Sequence, residues 1–188
     1  MTLMQTLVLM DHNVFFFLNG MAAWKPLGAM AEMLSDFGQY AVLLFAAIFL
    51  ALDGRPAFRR HMLALMMIMP LALGLNYGLK HTVNRRRPLG YYKEAVAKES
   101  VKLVAYERIT RRSFPSGHST LAFFSLGYLS LTRRRHAGWA LTLALAIAWS
   151  RVAVGAHYPF DCVAGAAFGL FWAYLAWRLR GLIEAREA

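Results

Sequence analysis

Long runs with scarcely a charged residue recur along the chain: Gly38 to Leu52, Met62 to Leu79, Ser116 to Thr132, Ala137 to Ala156 and Pro159 to Trp177. At a rise of 1.5 Å per residue, helices over these runs come close to the roughly 30 Å hydrocarbon core of a bilayer. The chain is 59% hydrophobic and 16% charged over 188 residues, more apolar surface than a soluble domain of this length can hide. The pattern predicts an all-α fold, a polytopic transmembrane helical bundle of about six helices, with residues 1–188 as a single domain.

The ends of the runs are marked by turn and breaker residues. Asp53-Gly54-Arg55-Pro56 is a turn, and Arg133-Arg134-Arg135-His136 closes the run before it. Pro70 should kink its helix, and Gly74 and Gly78, four apart, should permit a close helix contact. Trp172, Tyr174 and Trp177 suit an interfacial belt. Residues 3–18 are broken by Asp11, His12 and Asn13, so a helix there is expected either to lie in the interface or to span with help from its neighbours. Residues 26–36 carry Glu32 and Asp36 and read as a second interfacial or re-entrant piece. The long connection from 84 to 115 contains a charged, loosely amphipathic stretch at 91–108, read as a surface helix.

The formal net charge of +11 sits in short basic clusters between apolar runs. That distribution suits membrane loops and an anionic ligand; a continuous basic face for nucleic acid is not expected. The single cysteine, Cys162, allows no internal disulfide and reads as a small core residue. The first basic residue is Lys25, so no charged leader is expected at the start. His12, His61, His81 and His136 read as interfacial, and none has metal-ligand spacing.

Charged groups within membrane helices are costly and point to function. Because successive spans alternate direction, the ends at 80–88, 113–118 and 150–161 fall on one face of the membrane. In the first, Lys80 and Arg87 are seven apart, two helical turns, and Pro88 should end the helix near Arg87. They are either phosphate-holding cations or a pair reaching to lipid headgroups. In the second, Pro115-Ser116-Gly117-His118 opens an apolar run. Ser116 is a candidate N-cap, Gly117 admits a ligand to the backbone, and His118 stands beside the free N–H groups of a helix start, which favour anions. The bland alternative is a capped helix with an incidental histidine. In the third, His157 and Asp161 are four apart around Pro159, so the carboxylate can reach back to the imidazole and leave its other nitrogen free to attack. Arg151 offers a fork matched to phosphate oxygens. Here the alternative is a buried Arg151–Asp161 structural pair. Arg85 and Arg86 would either add phosphate affinity or bind headgroups.

Taken together, K(HTVNRR)RP at 80–88, PSGH at 115–118 and SR(VAVGA)H(YPF)D at 150–161 resemble the three-part signature of the type 2 phosphatidic acid phosphatase family, matching it at every specified position and in order. The resemblance covers about residues 75–180. It implies His157 as nucleophile, Asp161 as its orienting partner, and His118 as the group that protonates the leaving oxygen and later activates water. Lys80, Arg87, Ser116, Gly117 and Arg151 would hold the phosphoryl oxygens. The cations would stand in for a metal ion, so neither metal nor cofactor is expected.

The resemblance implies a membrane lipid phosphate as substrate. The N-terminal arrangement is similar to bacterial undecaprenyl-diphosphate phosphatases, which places undecaprenyl diphosphate ahead of phosphatidylglycerol phosphate, phosphatidic acid and lipid A. Phosphate transfer to another lipid remains open, as does a non-enzymatic transporter or lipid-binding role. Arg55, Arg59, Arg60 and Arg133 to Arg135 sit tight against span ends away from the site. The loops away from the site and the site loop at 84–114 carry nine Lys and Arg each, and it is this tight placement of the first set, where the positive-inside rule has most force, that favours a site on the external, periplasmic face of a bacterial inner membrane.

Overall fold

A computed structural model describes residues 2–92 and 109–187, the side chain of Gln39 excepted. The described residues form helices and connecting turns, with no strand among them. The surface helix expected at 91–108 lies almost wholly outside the described residues.

Helix α1 (Leu3–Met21) opens on a capping box, Thr2 accepting from the Gln5 N–H while the Gln5 side chain returns the bond. Helix α2 (Lys25–Ala51) carries Pro26 in its first turn, where the missing N–H costs nothing. It bends by 59° between Gly38 and Tyr40, separating the mixed first half from the apolar second half as the composition predicts. Helix α3 (Arg55–Val83) tolerates Pro70 and ends at Asn84 in the left-handed conformation, with Lys80 and His81 in its last turn. The four-residue α4 (Pro88–Tyr91) follows. Helix α5 (Gly117–Thr132) starts on Ser116, whose Oγ accepts from the Ser119 N–H. Helix α6 (Ala137–Ala153) stops where Gly155 adopts a φ of 76°, and α7 (Pro159–Glu187) begins on Pro159.

By length and composition, α3 continued through α4 and α7 can each cross a membrane, and α2 makes a third if its two halves count as one span. Helices α5 and α6 have 16 and 17 residues and run between the same two ends of the bundle. The apolar side chains Leu44, Met66, Leu71, Leu75, Leu145 and Phe171 are exposed, as the lipid-facing surface of such a bundle requires. The chain is an integral membrane protein.

Helix α5 is the axle. From Ser119 to Ser130 it is buried at nearly every position, and Phe123, Leu126 and Leu129 pack with Ala144, Ile147, Trp172 and Ala173 from α6 and α7. It lies close against α7 because that helix presents glycine to it. A Cβ on Gly165 would stand 2.5 Å from the Ser116 carbonyl oxygen, and one on Gly169 would stand 2.4 Å from that of Thr120. The glycine pair Gly74 and Gly78 behaves differently from expectation. A Cβ at either would meet nothing within 4 Å, so these two face outward and make no close helix contact.

At the far end, Arg60 pairs with Glu184 at 3.2 Å, joining the start of α3 to the end of α7. His61 is buried there and not interfacial. Its ring nitrogens bond Tyr128 Oη at 2.8 Å and Asp53 Oδ2 at 3.1 Å, which satisfies both inside the bundle. At the opposite end, hydrogen bonds tie α1 to the bundle. Asn19 donates to the Ala153 carbonyl at 2.8 Å, and Asp11 accepts from the Phe160 N–H at 2.9 Å. Both contacts lie at the end where α6 stops and α7 starts, so α1 lies along that end of the bundle.

Candidate active site

The three predicted stretches meet at that end. The segments 85–87 and 110–113 run side by side. The Arg87 N–H donates to the Thr110 carbonyl at 2.9 Å, and the Ser113 N–H to the Arg85 carbonyl at 3.0 Å. Lys80 Nζ reaches the Arg112 carbonyl at 3.3 Å, and Arg87 Nε reaches that of Arg111 at 3.3 Å. A Cβ on Gly117 would lie 3.7 Å from Lys80 Cε, so the glycine brings the first turn of α5 and the lysine stem into contact. His118 follows in that turn. The Ser116 N–H donates to the Asp161 carbonyl at 2.9 Å, tying the start of α5 to the start of α7. That N–H is therefore engaged inside the protein, and what Ser116 can offer a ligand is its hydroxyl proton.

The loop from Val154 to Tyr158 turns His157 back under Arg151, whose carbonyl accepts from the N–H groups of Ala156 at 3.0 Å and His157 at 3.1 Å. The Arg151 guanidinium is buried and donates to Ser35 Oγ on the first half of α2. His157 is itself buried. Burial pushes its imidazole down to about 4 from the ordinary 6.5, and the nearby positive charges of Arg87 and Arg151 push the same way. The ring is neutral at physiological pH, as a nitrogen nucleophile must be.

The carboxylate does not bond the imidazole directly. His157 Nδ1 and Asp161 Oδ2 are 3.8 Å apart. Ser113 fills the gap. Its hydroxyl donates to Asp161 Oδ2, and its oxygen lies 3.3 Å from His157 Nδ1. A serine hydroxyl has one proton, and this one goes to the carboxylate. The oxygen can then only accept from the ring, which places the imidazole proton on Nδ1 and leaves the Nε2 lone pair free.

Asp161 is held from three sides. Oδ2 also accepts from the Tyr158 N–H at 3.0 Å, and Oδ1 pairs with Arg85 Nη1 at 2.7 Å. Arg85 Nη2 pairs with Asp11 Oδ2 at 2.6 Å, and its guanidinium carbon stands 4.2 Å from the centre of the Tyr158 ring. The role foreseen for Arg85 is thereby corrected: two acids engage its fork inside the protein. The alternative of an Arg151–Asp161 structural pair gives way to Arg85 as the guanidinium partner of Asp161. His12, expected at the interface, bonds Tyr92 Oη through Nδ1 at 2.7 Å and stacks on Tyr158 at 5.1 Å. Cys162 is buried among core residues, as expected.

Sequence reasoning passed over Ser113, Asp11 and the partnership of Arg85. The one available signal was the position of Ser113 immediately before the Phe114-Pro115-Ser116-Gly117-His118 stretch. Among the described residues, no three His, Cys, Asp or Glu side chains are grouped to hold a metal ion.

The family model described as the PAP2 superfamily matches residues 61–183. The lipid A 1-phosphatase of Rhizobium johnstonii is 31% identical over 169 residues, 80% of this chain and 66% of that protein. The undecaprenyl-diphosphatase BcrC of Bacillus subtilis is 27% identical over 178 residues, 93% of this chain and 86% of that one. Some relatives extend well beyond the match: the chain spans 33% of the bacitracin transport permease protein BcrC of Bacillus licheniformis, at 44% identity over 70 residues. The fold is shared with the crystal structure of Aquifex aeolicus LpxE, with a TM-score of 0.61 at 24% identity over 88% of this chain and 93% of that one.

Proposed function

The chain belongs to the PAP2 superfamily, and on that premise we propose that it is a single-domain, metal-independent lipid phosphatase working through a phosphohistidine. The observation that carries this reading is the Ser113 hydroxyl set between His157 and Asp161, because it leaves Nε2 of a neutral, buried imidazole as the nucleophile.

The steps follow from the positions. The lipid phosphate enters at the start of α5, where the positive end of the helix attracts it. Lys80, Arg87 and Arg151 neutralise the phosphoryl oxygens, with Gly117 leaving space and the Ser116 hydroxyl adding a donor. His157 Nε2 attacks phosphorus, the bond from phosphorus to the lipid oxygen breaks, and His118 supplies the proton that oxygen needs. The Nδ1 proton stays against Ser113, and Asp161 balances the positive charge of the phosphorylated ring. His118 then takes a proton from water, whose oxygen attacks the phosphohistidine and releases phosphate. The barrier is lowered by positioning and charge neutralisation, which phosphoryl transfer chiefly requires.

We favour undecaprenyl diphosphate as substrate, supported by the 93% coverage of this chain in the match to the Bacillus subtilis diphosphatase. Phosphatidylglycerol phosphate, phosphatidic acid and lipid A remain the alternatives. Arginines 55, 59, 60 and 133 to 135 gather at the end opposite the site, which supports a periplasmic active site in a bacterial inner membrane. A periplasmic reporter fused after Ala188 should then be inactive, and an active one overturns this orientation.

The decisive test is phosphate release by the purified protein in detergent with EDTA, comparing these lipids, with His157→Ala as control. Release that persists in EDTA and vanishes in the variant is expected. Release that requires a divalent ion, or survives His157→Ala, overturns the mechanism.

A further inference from the structure

A second cationic site adjoins the first. A cavity of about 530 Å³ opens beside Lys80, lined by His81 and Asn84 at the end of α3 and by Ile109, Thr110, Arg111 and Arg112. No acidic residue lines it among the described residues, and neither Arg111 nor Arg112 has an acidic partner among them.

The backbone explains why both arginines face outward. The carbonyl of Arg111 is held by Arg87 Nε and that of Arg112 by Lys80 Nζ, both at 3.3 Å. Arg112 adopts a φ of 63°, a left-handed conformation that a side-chain-bearing residue takes only when its surroundings hold it there. The carbonyls are thus turned in toward two cations of the catalytic site, while the exposed guanidinium-bearing side chains line the neighbouring cavity. Lys80 sits on the seam: its stem faces Gly117 at the start of α5, and its ammonium touches the carbonyl of Arg112 in the segment that carries Arg111 and Arg112.

Like charges gathered together raise the local potential and favour an anion between them. Guanidinium forks match phosphate oxygens in geometry. A lipid monophosphate would fill the catalytic site and leave this cavity without an anion. A diphosphate carries a second phosphoryl group. We propose that Arg111 and Arg112, with His81, form a subsite for the second phosphoryl group of a lipid diphosphate, the one that stays on the lipid. The proposal rests on the phosphatase reading above and names its substrate class. The terminal phosphorus forms its bond to His157 Nε2. The bridging oxygen leaves with the electron pair as part of the lipid monophosphate, and the subsite stabilises the negative charge that gathers there. Water then cleaves the phosphohistidine to orthophosphate.

The test compares undecaprenyl diphosphate with phosphatidic acid in detergent with EDTA, for the wild type, the Arg111→Gln/Arg112→Gln double variant and the single Arg112→Lys. The double variant should raise KM for the diphosphate by about tenfold or more, as expected on losing charge-assisted bonds to phosphate. Phosphatidic acid should change by less than about twofold, and its continued turnover reports an intact fold. Arg112→Lys, which keeps the charge, should recover part of the loss. An equal change for both lipids, or none for either, overturns the subsite. So does a wild type that cleaves phosphatidic acid but not the diphosphate. A wild type that cleaves neither overturns the phosphatase reading, and the subsite falls with it.

Discussion

His157 and Asp161 face each other across 3.8 Å, too far for a hydrogen bond, and the hydroxyl of Ser113 bridges them. Ser113→Ala leaves the Nδ1 proton without an acceptor and Asp161 without one donor. Losing a buried bond of this kind costs about 1–3 kcal/mol. The variant should lose about ten- to a hundredfold in kcat with KM little changed. Ser113→Thr keeps the hydroxyl and should retain more activity than the alanine variant. Steady-state kinetics on the three proteins decides it.

The proposed mechanism gives the two histidines separable duties. An aryl phosphate has a leaving group that needs no proton, so His118→Ala should still phosphorylate His157 from it but hydrolyse the intermediate slowly. An acid-labile, base-stable phosphoenzyme should accumulate, visible by mass spectrometry after a basic quench. His157→Ala should show none. Phosphate found on any other residue contradicts the assignment.

The depressed pKa of His157 sets a pH signature. The ring loses its proton near 4 in the folded protein and near 6.5 in the unfolded chain. The acid limb of kcat/KM that belongs to the nucleophile should therefore lie near pH 4, well below 6.5. The unfolded chain binds the extra proton between these values. The stability from keeping His157 neutral is full above 6.5 and is lost as pH falls through 4. A limb near 6.5 that disappears in His118→Ala belongs to the other histidine; one that persists there contradicts the buried environment of His157.

Arg85 joins Asp11 on α1 to Asp161 on α7, and removing one partner of such a buried pair leaves a charge uncompensated, at a cost of roughly 3 kcal/mol or more. Asp11→Asn should lower thermal stability in detergent and reduce kcat by about tenfold through misplacement of Asp161. Asp11 precedes the segment matched by the family model. A double-mutant cycle with Arg85→Gln should give a coupling of about 1–3 kcal/mol. Additive losses would mean that the two side chains act independently.

The glycines divide by what surrounds them. Gly169→Ala would put a methyl 2.4 Å from the Thr120 carbonyl and should cost about 1–3 kcal/mol by forcing α5 and α7 apart. Gly74→Ala meets open space and should be neutral or stabilise α3 by up to about 1 kcal/mol. Melting temperatures in detergent test the pair.

Much of this was legible in the sequence. The apolar runs locate the helices, and alternation of spans places Lys80, Ser116 and His157 at one end. Ser116 as cap and Pro159 as helix start followed from local chemistry. What stayed hidden was pairing across the chain. Asp11 meets Phe160 over 149 positions and Arg85 meets Asp161 over 76, and no local pattern encodes such partners. Spacing by four cannot say which way a glycine pair faces, so Gly74 and Gly78 looked identical to Gly165 and Gly169. His61 was misjudged for the same reason: its acceptors, Tyr128 and Asp53, are assembled only by packing.

The bridge from Asp11 to Arg85 and Phe160 also orders events during synthesis. Asp11 leaves the ribosome early, Arg85 midway, and Phe160 after most of the chain has been made. The carboxylate of Asp161 gains its full set of supports only when the last helix is in the bilayer beside the first. A nascent chain therefore presents Lys80 and Arg87 before the segment that carries Arg151, His157 and Asp161 has been made.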